Sequence, residues 1–158
     1  MDGGVSLLLK GNGDGSFTPI WPDQSGLVVP GDAKSLTTTD LNNDGWPDFV
    51  VGVNDDKLVA FENRGAGDAR VMSVRLEGRT GNPTAVGACV TVHLADSSTQ
   101  TAEVQAGGGY LSQSSAMLFF GLGSAGQVEQ IEVVWPDGQK STTSPPLGVH
   151  ILRIKQPG

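Results

Sequence analysis

Apolar and β-branched residues come along this chain in short runs parted by Gly, Pro, Asn and Asp, and no stretch sustains apolar residues at i, i+3, i+4 and i+7. The pattern predicts an all-β chain of short strands joined by turns, with almost no helix. Val5 to Leu9 is the first such run. The Gly11-Asn12-Gly13-Asp14-Gly15 that follows predicts a tight turn, since these residues adopt positive φ at little cost. A weakly patterned stretch through Pro30 leads to strands at Ser35 to Thr39, Phe49 to Val53 and Lys57 to Glu62, the last two parted by the turn Asn54-Asp55-Asp56. Together they read as an antiparallel meander.

Arg64 to Arg70, RGAGDAR, is small and polar without periodic apolar positions, so a linker is placed there, between a region spanning 1–65 and a domain spanning 71–156. Beyond it β-type runs recur at Val71 to Leu76, Ala88 to Leu94, Thr101 to Gln105, Met117 to Phe120, Val128 to Trp135 and Val149 to Ile154. Strands at this spacing predict a β-sandwich. In the second of these runs Ala88, Val90, Val92 and Leu94 share one face, and Cys89, Thr91 and His93 share the other, the period of a half-buried strand. Trp135-Pro136-Asp137-Gly138 reads as a strand end entering a turn, because proline stops the ladder and Asp-Gly closes the bend.

Composition agrees: 23 glycines and 9 prolines exceed average usage, while 37% hydrophobic residues still allow a folded core. The net charge of -7 repels phosphate backbones, so nucleic acid is not expected as a partner. Much of the acidic excess lies in Asn/Asp/Gly clusters, where neighbouring carboxylates are tolerable beside a cation. Cys89 is the only cysteine, which excludes an intramolecular disulfide and a Cys-rich zinc site and leaves it as a small buried apolar residue. No apolar run approaches the roughly 20 residues that span a bilayer, so membrane insertion is not expected. The opening MDGGVSLLLKGNGDG has no basic region and no cleavage site, so export is expected to rest on a signal upstream of residue 1.

The chemistry gathers in Asp40-Leu41-Asn42-Asn43-Asp44-Gly45-Trp46-Pro47-Asp48. Oxygen-bearing side chains stand at relative positions 1, 3, 5 and 9, with glycine at position 6. Calcium takes six to eight hard oxygen ligands at about 2.3–2.6 Å, and alternate residues of a tightly curved loop can supply several of them. The expected ligands are the side chains of Asp40, Asn42, Asp44 and Asp48 and the backbone carbonyl of Trp46, with water completing the shell. Position 12 is Val51 and the flanks LTTT and DFVVGV are β-type, so the loop is not an EF-hand. The plain alternative is an Asx-rich turn that binds nothing; three carboxylates in so short a loop repel one another, which argues for a cation.

At these residues the chain resembles a known family. TTTDLNNDGWPDFVVG, with KGNGDGSFTP before it, looks like the FG-GAP or VCBS repeat over residues 11 to 63. That resemblance implies a four-stranded propeller blade like those of integrin α-subunits, with the Asp and Asn side chains holding structural Ca2+. Only one complete loop is present, so the expected fold is a partial propeller blade or blades, with a calcium loop, packed next to the β-sandwich. The second half resembles the UnbV/ASPIC domain of bacterial surface proteins and cartilage acidic proteins. It does so through VRLEGRTGNPTAVGACVTV, AGGGYLSQSS and FFGLGSAGQVEQIEVVWPDG, with Phe119 standing where that family commonly has histidine.

Catalysis finds little support. The Gly107-Gly108-Gly109-Tyr110 run lacks the lysine and the helix of a phosphate loop, and a bulge or close backbone approach explains it better. His93 and His150 each lie in a β-type run outside any catalytic motif. The expected function is a non-catalytic, calcium-binding adhesion or interaction module, extracellular or at the cell surface, whose partner is an extracellular protein or glycan. The rival is a carbohydrate-binding module or a fragment of a carbohydrate-active protein, favoured if Trp21, Trp46, Trp135 and Tyr110 form an exposed row. A third reading makes the chain a structural end-cap of a longer propeller.

Overall fold

A computed structural model describes residues 6–65, 67–123 and 126–158. The described residues fold into twelve short strands, arranged in four separate sheets, and a single helical turn. The all-β expectation holds, and the one helical turn, α1 (Pro22–Ser25), is too short to leave a periodic signal.

The C-terminal half is a two-sheet sandwich. Its strands are β6 (Arg70–Glu77), β7 (Cys89–Leu94), β8 (Thr99–Glu103), β9 (Met117–Gly123), β10 (Val128–Val134), β11 (Lys140–Thr143) and β12 (Ile151–Lys155). One sheet has the order β11-β10-β7-β8 and the other β12-β6-β9. The core is one cluster drawn from both: Met72, Val74 and Leu76 of β6 and Phe120 of β9 meet Val90, Val92 and Leu94 of β7 and Ile131 and Val133 of β10. Each such side chain contributes about 1.5–3 kcal/mol on burial, and this cluster is the main source of the half's stability. The expected face of Ala88, Val90, Val92 and Leu94 is buried throughout, while Cys89, Thr91 and His93 are half-buried on the other face. Cys89 is thus not the buried residue expected of it, because the period of two turns it away from the core.

Two features of this half were not foreseen. The polar strand β11 pairs with β10, and β12 runs parallel to β6, with Ile151 opposite Ser73. The turn between β6 and β7 is closed by one side chain: Asn82 accepts from Val86 N–H at 2.9 Å and donates to Val86 C=O at 2.9 Å. Asn82→Ala removes both bonds and leaves a half-buried amide and carbonyl without partners. It is expected to lower the free energy of unfolding by about 1–3 kcal/mol in urea titration.

The N-terminal half is thinner. β1 (Leu8–Gly11) and β2 (Phe17–Ile20) form an isolated hairpin, largely exposed, whose turn is the expected Gly-Asn-Gly-Asp-Gly. Val5, which opens the sequence run, lies outside the described residues. β3 (Ala33–Thr39), β4 (Asp48–Val53) and β5 (Val59–Phe61) form the expected antiparallel meander, a sheet of three strands. The Asp-rich loop is the connection between β3 and β4.

Candidate metal centre

The loop is built by its own Asx side chains. Thr39 ends β3, Asp40 follows, and Asp48 opens β4 directly opposite Thr39, so residues 40 to 47 form a closed arch across one strand pair. The arch turns through two left-handed residues, Asn43 at φ 61° and Gly45 at φ 87°. Asparagine tolerates that region through local hydrogen bonding, and glycine has no Cβ to oppose it.

Three side chains bend back over the arch. The two oxygens of the Asp40 carboxylate accept from Asp44 N–H at 3.1 Å and Gly45 N–H at 2.9 Å. Asn42 Oδ1 accepts from the same Asp44 N–H at 3.1 Å, which sets the Asp40 and Asn42 oxygens side by side. The Asp44 carboxylate takes Trp46 N–H at 2.8 Å on one oxygen and Asn42 Nδ2 at 2.8 Å on the other. Asp40, Asn42 and Asp44 are therefore brought together.

Asp48 has a different place. Fully buried, it accepts Leu41 N–H at 2.8 Å with one oxygen and Asn63 N–H at 2.7 Å with the other, bolting the mouth of the arch to the chain beyond β5. Trp46 is half-buried, its ring against the backbone of Gly65. Among the described residues no three His, Cys, Asp or Glu side chains gather closely enough to hold a metal ion by themselves. A cation in this loop would thus draw on the Asn42 amide oxygen and backbone carbonyl oxygens as well as carboxylates.

That donor set suits a hard cation. All its atoms are oxygens, a carboxylate offers about four lone-pair sites, and the loop's N–H groups use about two on each. The same N–H groups weaken one argument made from the sequence. Each carboxylate is already met by dipoles of opposite sign, so mutual repulsion does not by itself require a metal.

Similar Asx chemistry, with a serine hydroxyl added, appears at two exposed turns among the described residues. Ser16 and Ser98 each give a hydroxyl and then a backbone N–H to the carboxylate two residues earlier, which holds the Asp14 and Asp96 carboxyls below their usual range. Each of these turns has one carboxylate where the arch has two.

Sequence reasoning missed the edge of this sheet. Residues 112 to 115, a polar loop by composition, lie along the free side of β3. Ser112 Oγ donates to Leu36 C=O at 2.7 Å, Thr37 Oγ1 to Gln113 C=O at 2.6 Å, Thr38 N–H to Ser114 Oγ at 3.0 Å, and Ser115 N–H to Thr38 C=O at 3.0 Å. The glycines before this strap lie outside any strand. They lead into a tight turn, tipped by Tyr110 and Leu111 and closed by a bridge between Gly109 and Ser112, where the expected close backbone approach occurs.

The aromatic residues make no exposed row. Trp135 is buried at 1% exposure with its indole N–H on Ser141 Oγ at 2.7 Å, and Trp46 is half-buried, whereas Trp21 and Tyr110 stand out at 53% and 74%. No described helix is long and apolar enough to cross a membrane.

Comparison with known families gives two kinds of match along the chain. The family profile described as "ASPIC and UnbV" matches residues 78–158, just over half of the chain. Those described as "FG-GAP-like repeat" and "FG-GAP repeat" match residues 2–51 and 34–72. No curated protein matches the chain.

Proposed function

The chain belongs to the ASPIC and UnbV family, with FG-GAP-like repeats before that domain, an extracellular-type repeat module; from this premise we propose a calcium-dependent, non-catalytic adhesion or interaction role outside the cell. The observation that carries the reading is that the Asp40, Asn42 and Asp44 side chains are gathered on one arch, with the Asp40 and Asn42 oxygens on a shared N–H. In this reading Ca2+ is held by Asp40, Asn42, Asp44 and the Trp46 carbonyl. Asp48, expected as a further ligand, has lone pairs left for the ion but acts first as the bolt of the arch. The metal's role is structural. An oxygen-only loop site suits the millimolar calcium found outside cells, and nothing in the loop pairs a base with a nucleophile. Sugar binding is the weaker reading, since two of the four aromatics it would use are turned inward or half-covered.

Thermal unfolding in calcium, in magnesium and in excess chelator tests the site, with Asp44→Ala as the control. A ligand at about 100 times its Kd stabilises the folded state by about 2.7 kcal/mol. For a chain of this length that is a rise in Tm of roughly 5–10 °C. The expected result is such a rise with calcium, little with magnesium, and none in Asp44→Ala. An identical Tm in calcium and chelator would leave the arch as an Asx turn and remove the calcium-dependent role.

A further inference from the structure

The arch is held by the C-terminal half on its upstream side and at Gly45, and by the chain that leads to that half on its downstream side. On its upstream side the strap bonds to Leu36, Thr37 and Thr38, the residues that lead into Asp40. At its tip Gly45 is buried against the approach to β12: a Cβ there would lie 3.2 Å from Ile151 Cγ1 and 3.5 Å from the His150 carbonyl oxygen. That carbonyl in turn accepts from Ser73 N–H on β6 at 2.8 Å. On its downstream side the Trp46 ring lies against Gly65, and Asp48 holds Asn63, at the start of the segment that leads to β6. The residues that would hold the ion and those that join the two halves are thus interleaved along one stretch of chain.

From this interleaving we propose that cation binding in the arch and docking of the C-terminal half form one coupled equilibrium, with Ser112 and Ser114 as positioning residues for a site they do not touch. The inference rests on the reading of Asp40 to Asp48 as a calcium loop. Its physical basis is reciprocity. If the docked strap holds the end of β3 where the Asp40 and Asn42 oxygens converge, it strengthens binding by some factor, and binding strengthens docking by that same factor. The strap suits such a role because its bonds to β3 lie at the surface, where each contributes modestly and can open locally.

The test titrates calcium into the full chain by calorimetry and compares it with Ser112→Ala/Ser114→Ala, alongside Tm values in chelator and in calcium. Coupling of ordinary size predicts a Kd about fivefold weaker or more in the double variant, and a smaller calcium-induced rise in Tm. A purely structural strap would lower both Tm values alike and leave Kd unchanged, which overturns the proposal while the calcium site stands. A second measurement needs no variant and decides the matter if the double variant fails to fold. In the unmodified chain, amide exchange at Ser115 and Thr38 is expected to slow severalfold when calcium replaces chelator, while that of Val92 in the sandwich core stays constant. Equal rates at Ser115 and Thr38 in both conditions overturn the coupling. If the unmodified chain takes up no calcium at all, the reading of the loop fails and the coupling falls with it.

Discussion

Trp135→Ala is expected to lower the free energy of unfolding of the C-terminal half by about 3–5 kcal/mol, enough to unfold a marginal domain. Trp135 is the largest fully buried side chain, sitting where β10 ends and packed into the cluster shared by both sheets. Truncation removes its apolar contacts and leaves a cavity that a cluster rich in stiff β-branched residues such as Val133, Ile131 and Val90 resists collapsing to fill. The backbone at this position also shapes the turn to β11, with Trp135 N–H on Gln139 C=O at 2.8 Å and Gly138 N–H on Trp135 C=O at 2.9 Å. Trp135→Phe separates the two contributions. It keeps most of the apolar volume but loses the indole bond to Ser141, so a cost of roughly 1–2 kcal/mol is expected. Urea titration followed by far-ultraviolet circular dichroism reads both. A loss below about 1 kcal/mol for Trp135→Ala would mean that the two sheets do not depend on this side chain to stay packed.

How much of this was legible in the sequence follows from the range over which each interaction acts. Strands with a strict period of two, such as Cys89–Leu94, announce both their existence and their buried face. The arch of residues 40 to 47 was legible because Asx turns are local: the Asp40, Asn42 and Asp44 side chains each meet an N–H a few residues away. β2 and β11 were not legible, for opposite reasons. Phe17–Ile20 carries Pro19, which demotes a run to an edge strand, and Lys140–Thr143 has no apolar residue and exists because β10 offers it a ladder. The parallel pairing of β12 with β6 joins residues far apart in the chain, and no local pattern records it. The strap is the clearest such case. AGGGYLSQSS shows a glycine-rich turn and several hydroxyls, but which carbonyl each hydroxyl meets depends on how two halves of the chain come together.

The same limit divides the five residues expected at the metal. Spacing alone assigns Asp48 to the ion with the rest, because position 9 of such a loop carries an oxygen ligand. Spacing cannot show Asn63, fifteen residues on, whose N–H bonds one Asp48 oxygen. A carboxylate wholly out of solvent with an N–H on each oxygen is a structural tie, whatever else it does.

Asp48→Ala should therefore cost more than any other single change in the loop, about 2–4 kcal/mol in chelator, where calcium contributes nothing. Two N–H groups lose a charged acceptor, worth about 1.5–3 kcal/mol each when fully buried and less where water can reach the donor, as it can at exposed Leu41. Asp44→Ala provides the contrast. Asp44 is exposed and its partners can turn to solvent, so in chelator its loss is expected to cost about 1 kcal/mol or less. The two variants are thus expected to cross, with Asp48→Ala the more damaging without calcium and Asp44→Ala losing the proposed calcium response while leaving the metal-free fold nearly intact. Amide exchange at Leu41 and Asn63 localises the first effect, since both amides are expected to exchange faster in Asp48→Ala while the sandwich core is unchanged. If Asp48→Ala were neutral in chelator and lost only its calcium response, Asp48 would be a ligand first, and the arch would owe its closure to the metal rather than to its own hydrogen bonds.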